Sequence, residues 1–115
     1  MQQLDKREQL KLFPFVSVVV TVYNAEQTIA QCLESIMKLE YSKDKLEIIV
    51  VDDGSTDNSL DIVKEYSVKL VQKGHGGYPS AMNTGIKSAR GSIIVIIDSD
   101  IIVSKDWLVK VLEEF

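Results

Sequence analysis

Histidine and cysteine each occur once in these 115 residues, proline occurs twice, and 13 Lys and Arg are outnumbered by 17 Asp and Glu. Each scarcity removes a class of function. A single cysteine, Cys32, cannot close an internal disulfide and has no partners at zinc-site spacing, so it reads as a small core hydrophobe in a reducing compartment. A net charge of −4 offers no broad basic face, and no nucleic acid is expected as a partner. The apolar runs are short or interrupted by Asp, whereas a membrane-crossing helix needs ~20 apolar residues. The charged start MQQLDKREQ is not a signal peptide. No membrane segment is therefore expected in this chain, and the cytoplasm is the expected location. A longer protein containing it could still sit at the cytoplasmic face of a membrane. The sole histidine, His75, has no second His or Cys nearby and is expected to be a solvated loop residue rather than a ligand or base.

What is present suits one globular domain: 45% hydrophobic and 26% charged residues. Three segments are short, rich in β-branched residues and nearly continuous in apolar character, FVSVVVTVYN (15–24), LEIIVVDDGS (46–55) and GSIIVIIDSD (91–100). Strands buried on both faces of a parallel sheet have that pattern. A weaker run at 67–73 reads as a fourth strand. Between them lie helical stripes at 25–38, 57–66 and 79–89, the first with Asn24 and Gln27 placed as a capping pair, the last with Pro79 suited to a first turn. The predicted fold is a layered α/β, mostly parallel sheet flanked by helices. Residues 1–14 read as a flexible or helical arm, and 15–115 as the domain. The stripe Trp107, Leu108, Val111, Leu112, Phe115 runs to the last residue without a stop signal, the pattern of a truncated domain.

Every strong strand ends in polar residues: Tyr23 and Asn24, then Asp52 and Asp53, then Asp98, Ser99 and Asp100. Open α/β sheets bind ligands beyond the carboxyl ends of their strands, so all three groups fall on one rim. One aspartate of the 52–53 pair could simply cap the following helix; a carboxylate at a strand tip is also a good acceptor for a nucleobase N–H or a ribose hydroxyl. The segment KGHGGYPSAMNTG (73–85) holds four glycines in thirteen residues leading into a helix, which allows close backbone approach to a ligand, but it matches neither a P-loop nor a GxGxxG turn. Asp98 and Asp100 lie two apart, on one side of an extended chain, where like charges call for a compensating cation. Mg²⁺ or Mn²⁺ takes one or two protein carboxylates and completes its shell with phosphates and water. The two aspartates supply half of such a site.

Together these residues resemble the family 2 glycosyltransferases of the GT-A fold. VSVVVTVYNAEQTIAQCLESI resembles that family's opening strand and helix, EIIVVDDGSTDNSLDIV its acidic second strand, and GGYPSAMNTGIKSARGSIIVIIDSD its Gly-to-Asn segment and DxD strand. The resemblance implies that Thr21, Tyr23 and Asn24 line a nucleotide pocket, with Tyr23 near the base. Asp53 would accept from the base's N–H edge and Asp52 would support it. Gly77 and Asn83 would belong to the substrate site, Asp98 would contact ribose or the metal's water shell, and Asp100 would coordinate Mg²⁺ or Mn²⁺ with the diphosphate. Three positions depart from the pattern: Thr21 stands where Pro is common, Met82 where Arg often precedes the Asn, and Ile101 where a further Asp is frequent. Loss of that Arg leaves Lys73 and Arg90 as possible phosphate partners.

The family implies inverting sugar transfer from a nucleoside-diphosphate sugar, UDP- or GDP-linked, to an acceptor that the sequence does not name. Its general base, an Asp or Glu, is expected beyond residue 115, so this chain reads as the donor-binding half. A nucleotidyltransferase-like enzyme and a non-catalytic nucleotide-binding or interaction module remain as alternatives. A receiver domain would need an acidic pair where Tyr23 and Asn24 stand. A haloacid-dehalogenase-like phosphatase would carry its DxD on the first strand.

Overall fold

A computed structural model describes Asp5, Glu8 and residues 12–114. Within them the strands β1 (Val16–Val22), β2 (Leu46–Asp53), β3 (Lys69–Lys73) and β4 (Ile93–Asp98) alternate with the helices α1 (Ile29–Met37), α2 (Ser59–Val63), α3 (Tyr78–Ser88) and α4 (Trp107–Glu113). The strands form one parallel sheet in the order β3-β2-β1-β4. The layered parallel architecture expected from the β-branched runs is thus observed. β1 is buried along its whole length because it is central in the sheet and covered on both faces.

Alternation along β1 divides the core. Val18, Val20 and Val22 pack with Ile29, Cys32, Leu33 and Ile36 of α1, Val63 of α2, and Leu108 and Leu112 of α4. Val19 faces the other way and packs with Ile49, Val51 and Ala81 of α3. The first face carries most of the apolar burial, at about 1.5–3 kcal/mol per fully buried aliphatic side chain. On the second face α3 lies close to the sheet because Gly85 has no side chain: a Cβ there would come 2.3 Å from Val19 Cγ1. Cys32 is fully buried, as a core hydrophobe should be.

Three details differ from expectation. First, α1 begins at Ile29, not Ala25, and its N-cap is Thr28, without a side-chain capping bond. Asn24 cannot cap it, because it adopts a left-handed conformation, φ 49°, and turns its side chain toward the loop after β2. Second, ordered packing begins before residue 15. Phe13 stacks on Tyr41 with ring centroids 6.1 Å apart, and Lys45 Nζ donates to the Phe13 carbonyl at 3.1 Å. The rest of the expected arm, apart from Asp5, Glu8, Leu12 and Pro14, lies outside the described residues, as does Phe115. Third, β4 ends at Asp98, and the following residues form a turn closed by Ile101 N–H donating to the Asp98 carbonyl at 3.1 Å. Asp98 and Asp100 therefore do not share a face by strand alternation. Among the described residues no helix is long and apolar enough to cross a membrane.

Candidate functional site

β2 and β3 lie on one side of β1 and β4 on the other, so the chain reverses direction across the sheet between β1 and β4. A parallel sheet leaves its ligand crevice at that point, beyond the carboxyl ends of the strands. A cavity of about 640 Å³ opens there. It is lined by Thr21, Tyr23 and Asn24 at and just past the end of β1, Asp53 at the end of β2, His75, Gly77 and Tyr78 before and in α3, and Asp98 and Asp100 at and just past the end of β4.

Register explains the first ion pair. Asp53 of β2 sits opposite Lys73 of β3, and side chains at one level of a parallel pair point the same way. Lys73 Nζ donates to Asp53 Oδ1 at 2.7 Å. The glycine-rich loop then folds back over the carboxylate: Gly76 N–H donates to Oδ1 at 3.0 Å and Gly77 N–H to Oδ2 at 2.9 Å. Burial to 3% exposure would raise the Asp53 pKa, but these hydrogen bonds and the Lys73 charge outweigh it and hold the carboxyl down, at about 2. His75 Nδ1 lies 3.0 Å from Asp53 Oδ2 and 3.2 Å from the Asp53 carbonyl. Both neighbours are acceptors, which assigns the ring proton to Nδ1. The His75 ring stacks on Tyr23, with centroids 4.1 Å apart and planes 25° apart.

Asp98 and Asp100 differ from Asp53 in environment. Both are exposed, and no ion pair to either occurs among the described residues. Their backbone is nevertheless held from below. Cys32 Sγ lies 3.7 Å from the Asp98 carbonyl, and Val103 N–H donates to Ser35 Oγ at 3.1 Å, so the turn is pinned to α1. Burial first, then the Asp100 charge, pushes the Cys32 thiol up to about 11. Tyr78 is pushed above its ordinary value by burial and then by the Asp98 charge, with a hydrogen bond between the two side chains. Among the described residues no three His, Cys, Asp or Glu side chains form a metal-holding group. Two unpaired carboxylates on the rim suit a hard cation that keeps water and phosphate oxygens as its other ligands.

Asn24 links two loops. Its Oδ1 accepts from Thr56 N–H at 2.7 Å and from Asp57 N–H at 3.3 Å, and its own N–H donates to Ser55 Oγ at 3.0 Å. The β1–α1 and β2–α2 loops are thereby fastened together beside the cavity.

A family model described as glycosyl transferase family 2 matches residues 17–115. The chain belongs to that family. It is 37% identical over 108 residues to the uncharacterized glycosyltransferase EpsJ of Bacillus subtilis, covering 90% of this chain and 31% of EpsJ. It is 41% identical over 99 residues to the glycosyltransferase GlyG of Streptococcus pneumoniae, covering 81% of this chain and 32% of GlyG. Among solved structures, it superposes on residues 1–349 of Staphylococcus aureus TarS in complex with UDP, with a TM-score of 0.79 and 35% identity, over 85% of this chain and 31% of that one. It also superposes on the mannosyltransferase PcManGT of Pyrobaculum calidifontis in complex with GDP-Man and Mn²⁺, with a TM-score of 0.75 and 34% identity, over 79% of this chain and 29% of that one. The fold is that of the GT-A glycosyltransferases, and the chain spans about a third of the length of these relatives.

In this family 2 chain the structure brings Thr21, Tyr23, Asn24, Asp53, Gly77, Asp98 and Asp100 around one cavity, as the strand ends implied. It does not bring Asp52 or Asn83 there. Asp52 points to the opposite face of the sheet from Asp53, where Oδ2 accepts from Ser55 N–H at 3.3 Å and Oδ1 is buried without a partner among the described residues. Asn83 lies on α3 midway between the buried Ala81 and Gly85, hence on the face turned away from the sheet. Of the two cations considered for phosphate, Lys73 is committed to Asp53, and Arg90 sits at the other end of the sheet, 3.6 Å from Glu47. His75 and Tyr78 join the cavity unforeseen. His75 could have been found from its position two residues after the end of β3, which places it on the same rim; its isolation in sequence hid this.

Proposed function

We propose that the chain forms the donor-binding half of an inverting, metal-dependent glycosyltransferase that uses a UDP- or GDP-linked sugar. The observation that carries this reading is the gathering of an aromatic ring, a buried carboxylate and two unpaired carboxylates around one cavity at the point where the sheet changes direction. Relatives of the same fold solved with UDP and with GDP-Man support it.

In this reading Tyr23 offers a stacking face to the base and Asp53 accepts its N–H. Stacking against an aromatic ring tolerates any base, so selection between uracil and guanine rests on the hydrogen-bonded edge. Asp98 holds ribose or ordered water, and Asp100 holds Mg²⁺ or Mn²⁺. When bound, that cation supplies positive charge to the departing diphosphate. Backbone contacts to α1 on either side of the turn support the segment that carries Asp98 and Asp100. No residue of the cavity is assigned the role of general base, which we place in the part of the relatives that this chain does not span.

Calorimetric titration with UDP and GDP, with and without Mn²⁺, tests the assignment. Binding is expected only with the cation and is expected to be lost in Asp100→Ala. Equal affinity with and without the metal would sink it.

A further inference from the structure

We propose that His75 occupies the nucleobase position of the donor site and must swing out before a nucleotide can bind. The inference rests on the donor-site reading above. Two independent contacts place the imidazole there. Its ring covers the face of Tyr23 at a centroid distance of 4.1 Å, and no base can enter between rings so close. Its Nδ1, hydrogen-bonded to the Asp53 carbonyl at 3.2 Å, also stands 3.0 Å from Asp53 Oδ2, in front of the one acceptor direction of that carboxylate that no other group fills.

That second statement follows from counting donors. A carboxylate offers about four lone-pair directions, two on each oxygen. Asp53 Oδ1 receives Lys73 Nζ at 2.7 Å and Gly76 N–H at 3.0 Å. Oδ2 receives Gly77 N–H at 2.9 Å and faces His75 Nδ1 at 3.0 Å. A base N–H can reach this carboxylate only by displacing the His75 ring or by replacing one of the three donors. Gly76 and Gly77 donate from the backbone of the loop. Lys73 Nζ is held a second time by the Gly74 carbonyl at 2.6 Å and its side chain is 19% exposed. His75 alone stands before the carboxylate on a side chain that is 54% exposed and donates no hydrogen bond to it, so it can rotate into water without breaking the core.

The movement is a side-chain rotation, not an opening of the loop. Gly54, at φ +76°, packs so closely on the loop that a Cβ there would lie 2.7 Å from His75 N and 3.2 Å from its Cα. With its backbone fixed and its ring free, His75 competes with the base for one stacking face and one acceptor. A site whose competent state is only partly populated binds with affinity reduced by that fraction.

Removing the ring removes the competition. Loss of one stacked pair and one hydrogen bond to a main-chain carbonyl is expected to raise UDP affinity roughly fivefold to 150-fold in His75→Ala. His75→Phe keeps the stack but cannot donate to Asp53, and its affinity should fall between the two. Both variants and the wild-type chain would be titrated with UDP in the presence of Mn²⁺, after confirming equal thermal midpoints. In NMR spectra of the wild-type chain, the His75 ring protons, shifted upfield by Tyr23 in the free protein, should move toward unstacked values at UDP saturation. Binding by the wild type with His75→Ala equal or weaker, or a His75 signal unmoved at saturation, overturns this inference and leaves the donor-site reading intact. No binding by any of the three proteins overturns the donor-site reading, and the inference with it.

Discussion

Replacing Asp53 by Asn keeps the shape of the side chain and removes the charge on which the glycine loop is hung. The size of the effect follows from the two states of the carboxyl. Unfolded, it titrates near 3.8; folded, hydrogen bonds from Lys73, Gly76 and Gly77 overcome burial and bring it to about 2. At about 1.4 kcal/mol per unit, the depression contributes roughly 2 kcal/mol of stability at neutral pH. The sign is fixed by which state takes up the proton first. As the medium is acidified the unfolded chain protonates earlier, so the contribution is complete above about pH 5 and fades as pH falls through 3.8 toward 2. Urea denaturation of wild type and Asp53→Asn should therefore differ by roughly 2 kcal/mol at pH 7 and converge near pH 2. Amide exchange adds a local reading, because the Gly76 and Gly77 N–H groups, protected in the wild type, should exchange faster in the variant. A stability gap that stays the same from pH 7 to pH 2, or unchanged exchange at both glycines, would show that the Asp53 charge does not hold the loop.

Two further outcomes test the packing. In Gly85→Ala, helix propensity favours Ala by about 1 kcal/mol. Overpacking a core costs about 1–3 kcal/mol, and a Cβ only 2.3 Å from Val19 Cγ1 puts this site at the severe end. A lower thermal midpoint is expected, partly restored by Val19→Ala in the same chain; a higher midpoint would mean that α3 is not seated on the sheet as described. Cys32, buried and with its thiol pushed up to about 11, should resist maleimide labelling at pH 8 in the native state and react rapidly in urea. Rapid labelling of the folded chain would contradict its place beneath the Asp98 turn.

The strands were legible because buried parallel strands leave continuous β-branched runs, and the rim was legible because each run stops at polar residues. Less of the site's detail could be read. Asn24 looks like an N-cap in sequence, yet its left-handed backbone and its bonds to Thr56 and Asp57 depend on a loop thirty residues away. Asp52 and Asp53 are adjacent letters on opposite faces of a strand, and only the register with β3 decides that Asp53 meets Lys73. The alternation of an extended chain would set Asp98 and Asp100 side by side, whereas a turn held against α1 brings both to the cavity. His75 has no second ligand-type residue near it in sequence and so reads as a solvated loop residue. Its partners are a ring and a carboxylate on other strands, which no local pattern reveals.

Four aspartates at the ends of two strands thus meet three different fates, and the difference has electrostatic consequences. Asp52 turns to the far face beside the start of α2. Asp53 is matched by the Lys73 ammonium and two backbone N–H groups, so its charge is largely compensated inside the fold. Asp98 and Asp100 remain exposed with no cationic partner among the described residues, on a chain whose net charge is already −4. Lys73, at the end of β3 on the same rim, is spent on Asp53. A diphosphate approaching that rim would meet repulsion from both carboxylates, with no Arg or Lys among the described residues that line the cavity to offset it. The proposed cation dependence follows from this imbalance: whatever binds an anion here must bring positive charge to the two carboxylates that the fold leaves unmatched.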